Sequence, residues 1–570
     1  MNRKKTIRAA TGKTVPDLVL KNATVLDVFT GQWIKADIAI IDGCIAGVGS
    51  YDTGRKTRDL KKACVIPGFI DAHVHIESSM VSVPAFVGAT APHGTTTVVA
   101  DPHEIANVLG TSGINYMLLE SKKLLANIYF MIPSCVPATS METSGATLSV
   151  EDIEPYFSHP KVLGLAEVMN YPGVINTDGQ VLAKINAAAD AGKIIDGHAP
   201  GLCGKDLCAY AAAGITSDHE CVTPEEALEK IRAGMRVMVR EGTGAKNLAD
   251  LVPAINPQTS QWMMWCTDDR HPNDIQTEGH IDFIVKKAVF LGVNPVTAIQ
   301  MATIRPAQYF GLHHLGAVAP GKQADLLIIS EPPGLDVNEV YCAGKKVAES
   351  GTLMPDIRLP APAPCPSPMR VDVNRVNFNV IAGQGKARVI RLVPGQIVTK
   401  CLMASLPEKN GLAMPDPGAD IAKIAVVERH IGTGNIGVGF VSGFGLAHGA
   451  IAQSIAHDSH NIIVCGATDA DMKAAVAAVV KMGGGIVVVD SGRTLSSLPL
   501  PIAGLMSNLP MGEVSRKMDG LNNTAKALGS KLSDPFMALS FLALPVIPKL
   551  KITDLGLFDV EKFCHVPVYG

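Results

Sequence analysis

The sequence predicts an α/β protein built as a (β/α)8 barrel, with a small discontinuous β-sandwich domain attached and a C-terminal α/β domain behind it. Three observations point there. Between residues 67 and 314, eight short apolar runs alternate with helix-length segments, the pattern of βα units around a parallel barrel. Short β-type runs flank that region on both sides, and a proline-rich stretch at residues 359–370 separates it from residues 371–570. At 570 residues the chain exceeds a single core, and ~150 residues per domain suggests three or four units.

The N-terminus, MNRKKTIRAATGKTVPDLVL, is basic but leads into no apolar segment of signal-peptide length. No uninterrupted apolar run of ~18 residues occurs elsewhere, so a cytoplasmic protein without a membrane span is expected. Residues 17–66 hold LVLKNATVLDV and ADIAIIDGCIAGVG, strand-like runs separated by Gly and Asn turn signals. A related stretch, GAVAPGKQADLLIIS, returns at residues 316–330. Residues 1–66 and 315–358 are therefore assigned to one small domain interrupted by the barrel.

The barrel strands are read at FIDAHVH, TTTVVAD, NIYFMIP, VLGLAEV, KIIDGHA, ITSDHE, RVMVREG and MMWCTDD, joined by helical segments such as PEEALEKIRAGM. The linker LPAPAPCPSPMR has proline at 360, 362, 364, 366 and 368, which favours extended, semi-rigid geometry. Beyond it, IIVCGA, GGGIVVVD and the helical run DADMKAAVAAVVKM mark a separate α/β domain.

Charge excludes one class of partner. Fifty basic against 53 acidic residues give a net charge of −3 without a polybasic run, which is not the footprint of a nucleic-acid binder. A small-molecule partner is expected, in a protein that forms a homo-oligomer. The 12 cysteines show no metal-ribbon pairing and read as reduced core thiols.

The chemistry gathers where the barrel strands end. His73, His75, Asp101, Glu167, His198, His219, Arg240 and Asp268 each close an apolar run, and in a barrel of this kind the active-site groups sit at the C-terminal ends of the strands. His73 and His75 share a face if their stretch is extended. Any one of these histidines alone reads as a satisfied core or loop residue. Four closing strands of one barrel, together with Glu167 and Asp268, make a candidate ligand set of four imidazoles and two carboxylates, suited to Mn, Fe or Zn.

PGFIDAHVHIESSM, followed by His, His and Asp at later strand ends, resembles the amidohydrolase superfamily. HVHIESSM, DPHEIANV, WCTDDRHPNDI and GFGLAHGAIAQSIAHDSHNIIVCGATDADM resemble, more narrowly, the adenine deaminase family over nearly the whole chain. That resemblance implies a divalent metal pair, manganese first with iron or zinc as alternatives, held by His73, His75, Glu167, His198, His219 and Asp268. Many relatives bridge two metals with a carboxylated lysine after the fourth strand. Here that strand ends GLAEVMN, leaving Glu167 as the bridging carboxylate. The implied reaction is hydrolytic: metal-activated hydroxide adds to C6 of adenine, and ammonia and hypoxanthine leave. Asp268 is the expected acceptor of the nucleophile's proton, and Glu104 or His103 the expected donor to the purine ring.

Arg240, Glu241 and Asp269 are candidate substrate contacts, each with an internal ion-pair or loop-anchoring alternative. Cys266 reads as a small buried apolar residue. His448, His457 and His460 can hold a further metal or form a polar loop before IIVCGA. Two other functions stay open at this stage: hydrolysis of another amino-heterocycle or an N-acyl sugar at the same site, and a non-catalytic scaffold.

Overall fold

The computed structural model describes residues 2–393 and 396–570. The eight barrel strands fall at Phe69–Val74, Thr95–Ala100, Asn127–Ile132, Val162–Val168, Ile194–Gly197, Ser217–Asp218, Arg236–Arg240 and Met263–Cys266. The first five pair parallel in sequence order, as do the last three. Backbone bonds close both seams. Thr216 N–H donates to Ile195 O (2.9 Å), and Asp268 N–H donates to His73 O (2.9 Å). Alternation along the strands sends Ile70, Ala72, Val99, Met131, Ala166, Met238, Met264 and Cys266 into the barrel interior. Cys266 is fully buried there, as a small apolar filler.

The interrupted domain is joined at one strand pair. Leu326–Ile329 runs antiparallel to Cys64–Pro67, with Leu327 opposite Ile66. Its strands form one nine-stranded hydrogen-bonded sheet. Because side chains alternate, Leu326 and Ile328 enter the core with Leu20 and Val25, while Leu327 and Ile329 pack toward Trp265 of the barrel. A helix over Arg3–Ala10, capped by Asn2 accepting from Lys5 N–H, lies ahead of this sheet. The Lys, Arg and Ala residues of that basic segment are good helix formers behind a cap.

In the C-terminal domain an eight-stranded, mostly antiparallel sheet is covered on both faces. Met472, Ala475, Val476 and Val479 of helix Asp469–Met482 cover one face. Val514, Met518 and Leu521 of helix Met511–Ala527 cover the other, in a core continuous with that of the barrel. The expected separation of this domain is therefore incomplete: proline marks the chain boundary, but apolar burial fuses the two units. The linker lies against the barrel, with Ala363 N–H donating to Glu120 (3.1 Å). Arg429 donates to Pro368 O (2.9 Å) at its far end.

Candidate metal centre and active site

The first and eighth strands set one half of the site. His73 and His75, two residues apart on extended backbone, project together, with their Nε2 atoms 3.1 Å apart. Asp268 Oδ1 lies 3.5 Å from His73 Nε2 and 3.1 Å from His75 Nε2. Asp268 has φ 57°, a left-handed conformation that Asp tolerates better than most residues; it ends the strand and turns the carboxylate across the barrel mouth. Asp71 instead buttresses the strands, accepting from Thr267 N–H (3.1 Å) and His73 N–H (3.3 Å). His75 Nδ1 is 3.1 Å from Asp101 O, which orients the ring and leaves Nε2 facing the site.

Glu167 joins this half to the other. Its Oε1 is 3.4 Å from His75 Nε2, whereas its Oε2 is 2.8 Å from His198 Nδ1 and 3.1 Å from His219 Nε2. The two oxygens thus face different histidine sets. His73 and His219 stack with ring centroids 4.2 Å apart, bringing both sets within one compact cluster. Of the six groups only His198 is more than slightly exposed. The donor set fits a pair of divalent cations: neutral imidazole and carboxylate lone pairs converge, and the buried carboxylates would repel without positive charge between them.

Neighbouring charges hold these side chains in place. Arg240 Nη1 reaches Asp268 Oδ2 at 2.9 Å, and its guanidinium also grips Glu220 in a two-pronged pair. Burial would raise the Asp268 carboxyl, but Arg240 and the adjacent histidines hold it well below the ordinary range. Glu220 Oε1 is 3.5 Å from both His198 Nδ1 and His219 Nε2. This residue was missed as a site group, although it directly follows His219 at a strand end, the same signal that selected its neighbours. Beneath it, Lys230 Nζ pairs with Asp218 at 2.8 Å, both side chains fully buried.

The three candidate substrate contacts separate. Arg240 spends its donors on Glu220, Asp268 and Asn247, the internal ion-pair alternative. Glu241 turns away, pairing with Lys287 and accepting from Leu248 N–H at 3.2 Å; adjacent residues at a strand end point to opposite sides. Asp269 is only partly buried and accepts from Ser78 Oγ.

The C-terminal domain supplies the roof. His457 Nδ1 lies 2.7 Å from Glu104 Oε1, and His460 Nε2 contacts Glu104 Oε2. His460 Nδ1 accepts from Ala456 N–H at 3.2 Å, so its proton resides on Nε2 and is donated to Glu104. That tautomer makes the cluster a hydrogen-bonded bridge between domains. Burial opposes charge on Glu104, yet His457, His460 and His103 outweigh it and hold the carboxyl well below its usual range. Burial likewise opposes charge on His457, but Glu104 lifts that imidazole to about 9. In His460 burial prevails and lowers the value to about 4. His103, also named from sequence, has Nδ1 3.0 Å from Asp101 Oδ2 and 3.3 Å from Glu167 Oε1, with Nε2 3.6 Å from Glu104. His448 lies apart, paired with Asp490.

Comparison with known proteins matches this architecture. Residues 64–347 match the amidohydrolase family, and residues 396–564 match the adenine deaminase C-terminal domain. An adenine deaminase of Desulfatibacillum aliphaticivorans is 55% identical over 99% of both chains. Adenine deaminase 2 of Carboxydothermus hydrogenoformans is 50% identical over 99% of this chain and 98% of its own, and an adenine deaminase of Bacillus pumilus is 45% identical at the same coverage. A barrel with this strand-end cluster, roofed by this C-terminal domain and related along its whole length to these proteins, belongs to the adenine deaminase family of the amidohydrolases.

Proposed function

We propose that this chain hydrolyses adenine to hypoxanthine and ammonia, with His73, His75, Glu167, His198, His219 and Asp268 holding a pair of divalent cations. The observation that carries the reading is Glu167, whose two oxygens face separate histidine sets (His75 at 3.4 Å; His198 at 2.8 Å) in a chain whose relatives are adenine deaminases. When bound, the metals acidify water near neutral pH.

The chain's own groups manage the protons. Asp268 Oδ2 is committed to Arg240, so Oδ1, facing His73 and His75, is the oxygen that takes the proton from the attacking water. Adenine's ring nitrogen grows basic as the nucleophile adds at C6, and it requires a donor. Glu104 is ionised at rest, and His457 carries the proton 2.7 Å from it. The pair acts together: the His457 proton passes through Glu104 to the ring nitrogen, Asp268 gives the proton it took from water to the amine, which leaves as ammonia, and the proton lost by the C6 hydroxyl as the carbonyl forms restores His457. His103 positions Glu104 from its other side. The buried roof keeps bulk water from this exchange.

Manganese as the preferred metal, a cytoplasmic location and homo-oligomeric assembly belong to the same proposal; among the described residues no helix is long and apolar enough to cross a membrane. Ammonia release measured across adenine, adenosine, guanine and cytosine, with metal content on the same preparation, tests the reading. Turnover of adenine alone and two metals per chain are expected; full activity in metal-free protein, or comparable turnover of adenosine, overturns it.

A further inference from the structure

The loop from Ala456 to Asn461 is fixed at nearly every polar group. His457 N–H donates to Ser540 O (3.2 Å), His460 N–H to Ala456 O (2.7 Å), and His430 Nε2 to Ser459 O (2.7 Å). Arg429 donates to His460 O, and Asn461 Nδ2 donates to Thr143 O across the domain boundary (2.8 Å). The His457 ring stacks on Phe541 at 4.6 Å. Asp458 stands apart. It is 4% exposed, its Oδ2 has no hydrogen-bond partner among the described residues, and its Oδ1 is 4.0 Å from the nearest cationic nitrogen, His457 Nδ1.

Asp458 lies on the site side of His457: its Oδ1 is 4.0 Å from the same Nδ1 that pairs with Glu104 at 2.7 Å. Across the domain boundary Glu142 is buried beside the Ser459 hydroxyl. Asp458 is thus a buried acid whose Oδ2 no donor among the described residues reaches. A buried acceptor left without a donor is destabilising, and a rigid loop presenting one is a preorganised half of a hydrogen bond.

We propose that Asp458 reads the substrate, its carboxyl oxygen accepting from the N–H of the five-membered ring of a free purine base. This rests on the deaminase reading above. Adenine carries donors at only two places, the exocyclic amine and that ring N–H. The amine and C6 must face Glu167 and Asp268 on the barrel floor, so the donor left for an acceptor in the roof is the ring N–H. In a nucleoside the sugar replaces that hydrogen. Asp458 then loses its partner and meets a bulky substituent, so the same contact selects the free base over the nucleoside.

The test compares adenine with 9-methyladenine, which keeps the reacting carbon and lacks the N–H, in wild type, Asp458→Asn and Asp458→Ala. Metal content and thermal midpoint are measured on each. Wild type should prefer adenine on the order of 100-fold or more in kcat/KM, as sites built around a substrate N–H do. Both variants should retain their metals and midpoint, lose roughly 100-fold on adenine, chiefly through KM, and leave 9-methyladenine nearly unchanged. Variants that keep the wild-type preference, or a wild type that accepts both bases equally, overturn the assignment while the deaminase reading stands. A wild type inactive on adenine overturns both. Should the variants lose metal or unfold, inhibition of wild type by hypoxanthine and 9-methylhypoxanthine decides, equal affinities overturning the assignment.

Discussion

His457, on a loop of the C-terminal domain, lies 2.7 Å from Glu104 at the end of the second barrel strand. In the reaction proposed above, the pair makes the roof part of the proton machinery. His457→Gln keeps a hydrogen-bonding shape but cannot carry the proton, so kcat should fall by roughly 10²- to 10³-fold with a smaller change in KM. Steady-state kinetics with metal analysis checks this. Unchanged kcat would mean that the contact only clamps the domains.

Glu167 and Asp268 should fail differently. Glu167→Gln removes negative charge from between two cation sets, and close dications repel far more strongly in a shielded site than in water. Metal occupancy should fall from two per chain along with rate. Asp268→Asn removes the proton acceptor while most ligands remain, so turnover should fall by roughly 10²-fold or more with metal largely retained. Elemental analysis and ammonia release on both variants separate the roles. A Glu167→Gln protein holding two metals at near-normal rate would exclude the bridge.

Lys230→Met leaves Asp218 as an uncompensated buried charge behind His219. The original pair is fully buried at 2.8 Å, and breaking such a pair from one side costs about 3–5 kcal/mol. Denaturant unfolding of the metal-loaded protein measures the loss. A cost under about 1 kcal/mol would show that the site tolerates the charge.

Lys551 gives stability a pH dependence. Its Nζ donates to Ile397 O and Phe541 O, both at 2.9 Å, and burial pushes its pKa down to about 7 from 10.5. Between those values the unfolded chain binds a proton at this lysine that the folded chain does not, so its contribution to stability rises with pH from about 7 to about 10.5. Below pH 7 both states are charged and folding carries the full penalty of burying that charge. Thermal midpoints of wild type and Lys551→Met across this range should show the slope in wild type and its reduction in the variant. Parallel profiles would refute the assignment.

Chelation completes the set. Removing the metals leaves two buried carboxylates facing histidines that must then take up protons, so apoprotein should lose activity and melt at a lower temperature; Mn²⁺ should restore both. Activity that survives exhaustive chelation, with metal absent by elemental analysis, would sink the metal-pair reading.

The sequence by itself determined the eight barrel strands, the β-type runs on either side of them that share one sheet, and the residues that close each strand. These follow from local rules: apolar period, turn residues and the polar group ending an apolar run are properties of neighbours in the chain. Its resemblance to a family added the chemistry proposed for those residues. Tertiary structure alone decided what each group faces. Glu241 and Asp268 both sit at strand ends, yet one pairs with Lys287 and the other meets two histidines, because a one-residue step or a left-handed φ reverses side-chain direction. Sequence could not place His457, His460 and Asp458 above Glu104, since nothing local links two segments so distant along the chain. That juxtaposition exists because apolar faces of the C-terminal sheet and the barrel bury each other in one core, and burial is a property of the whole fold.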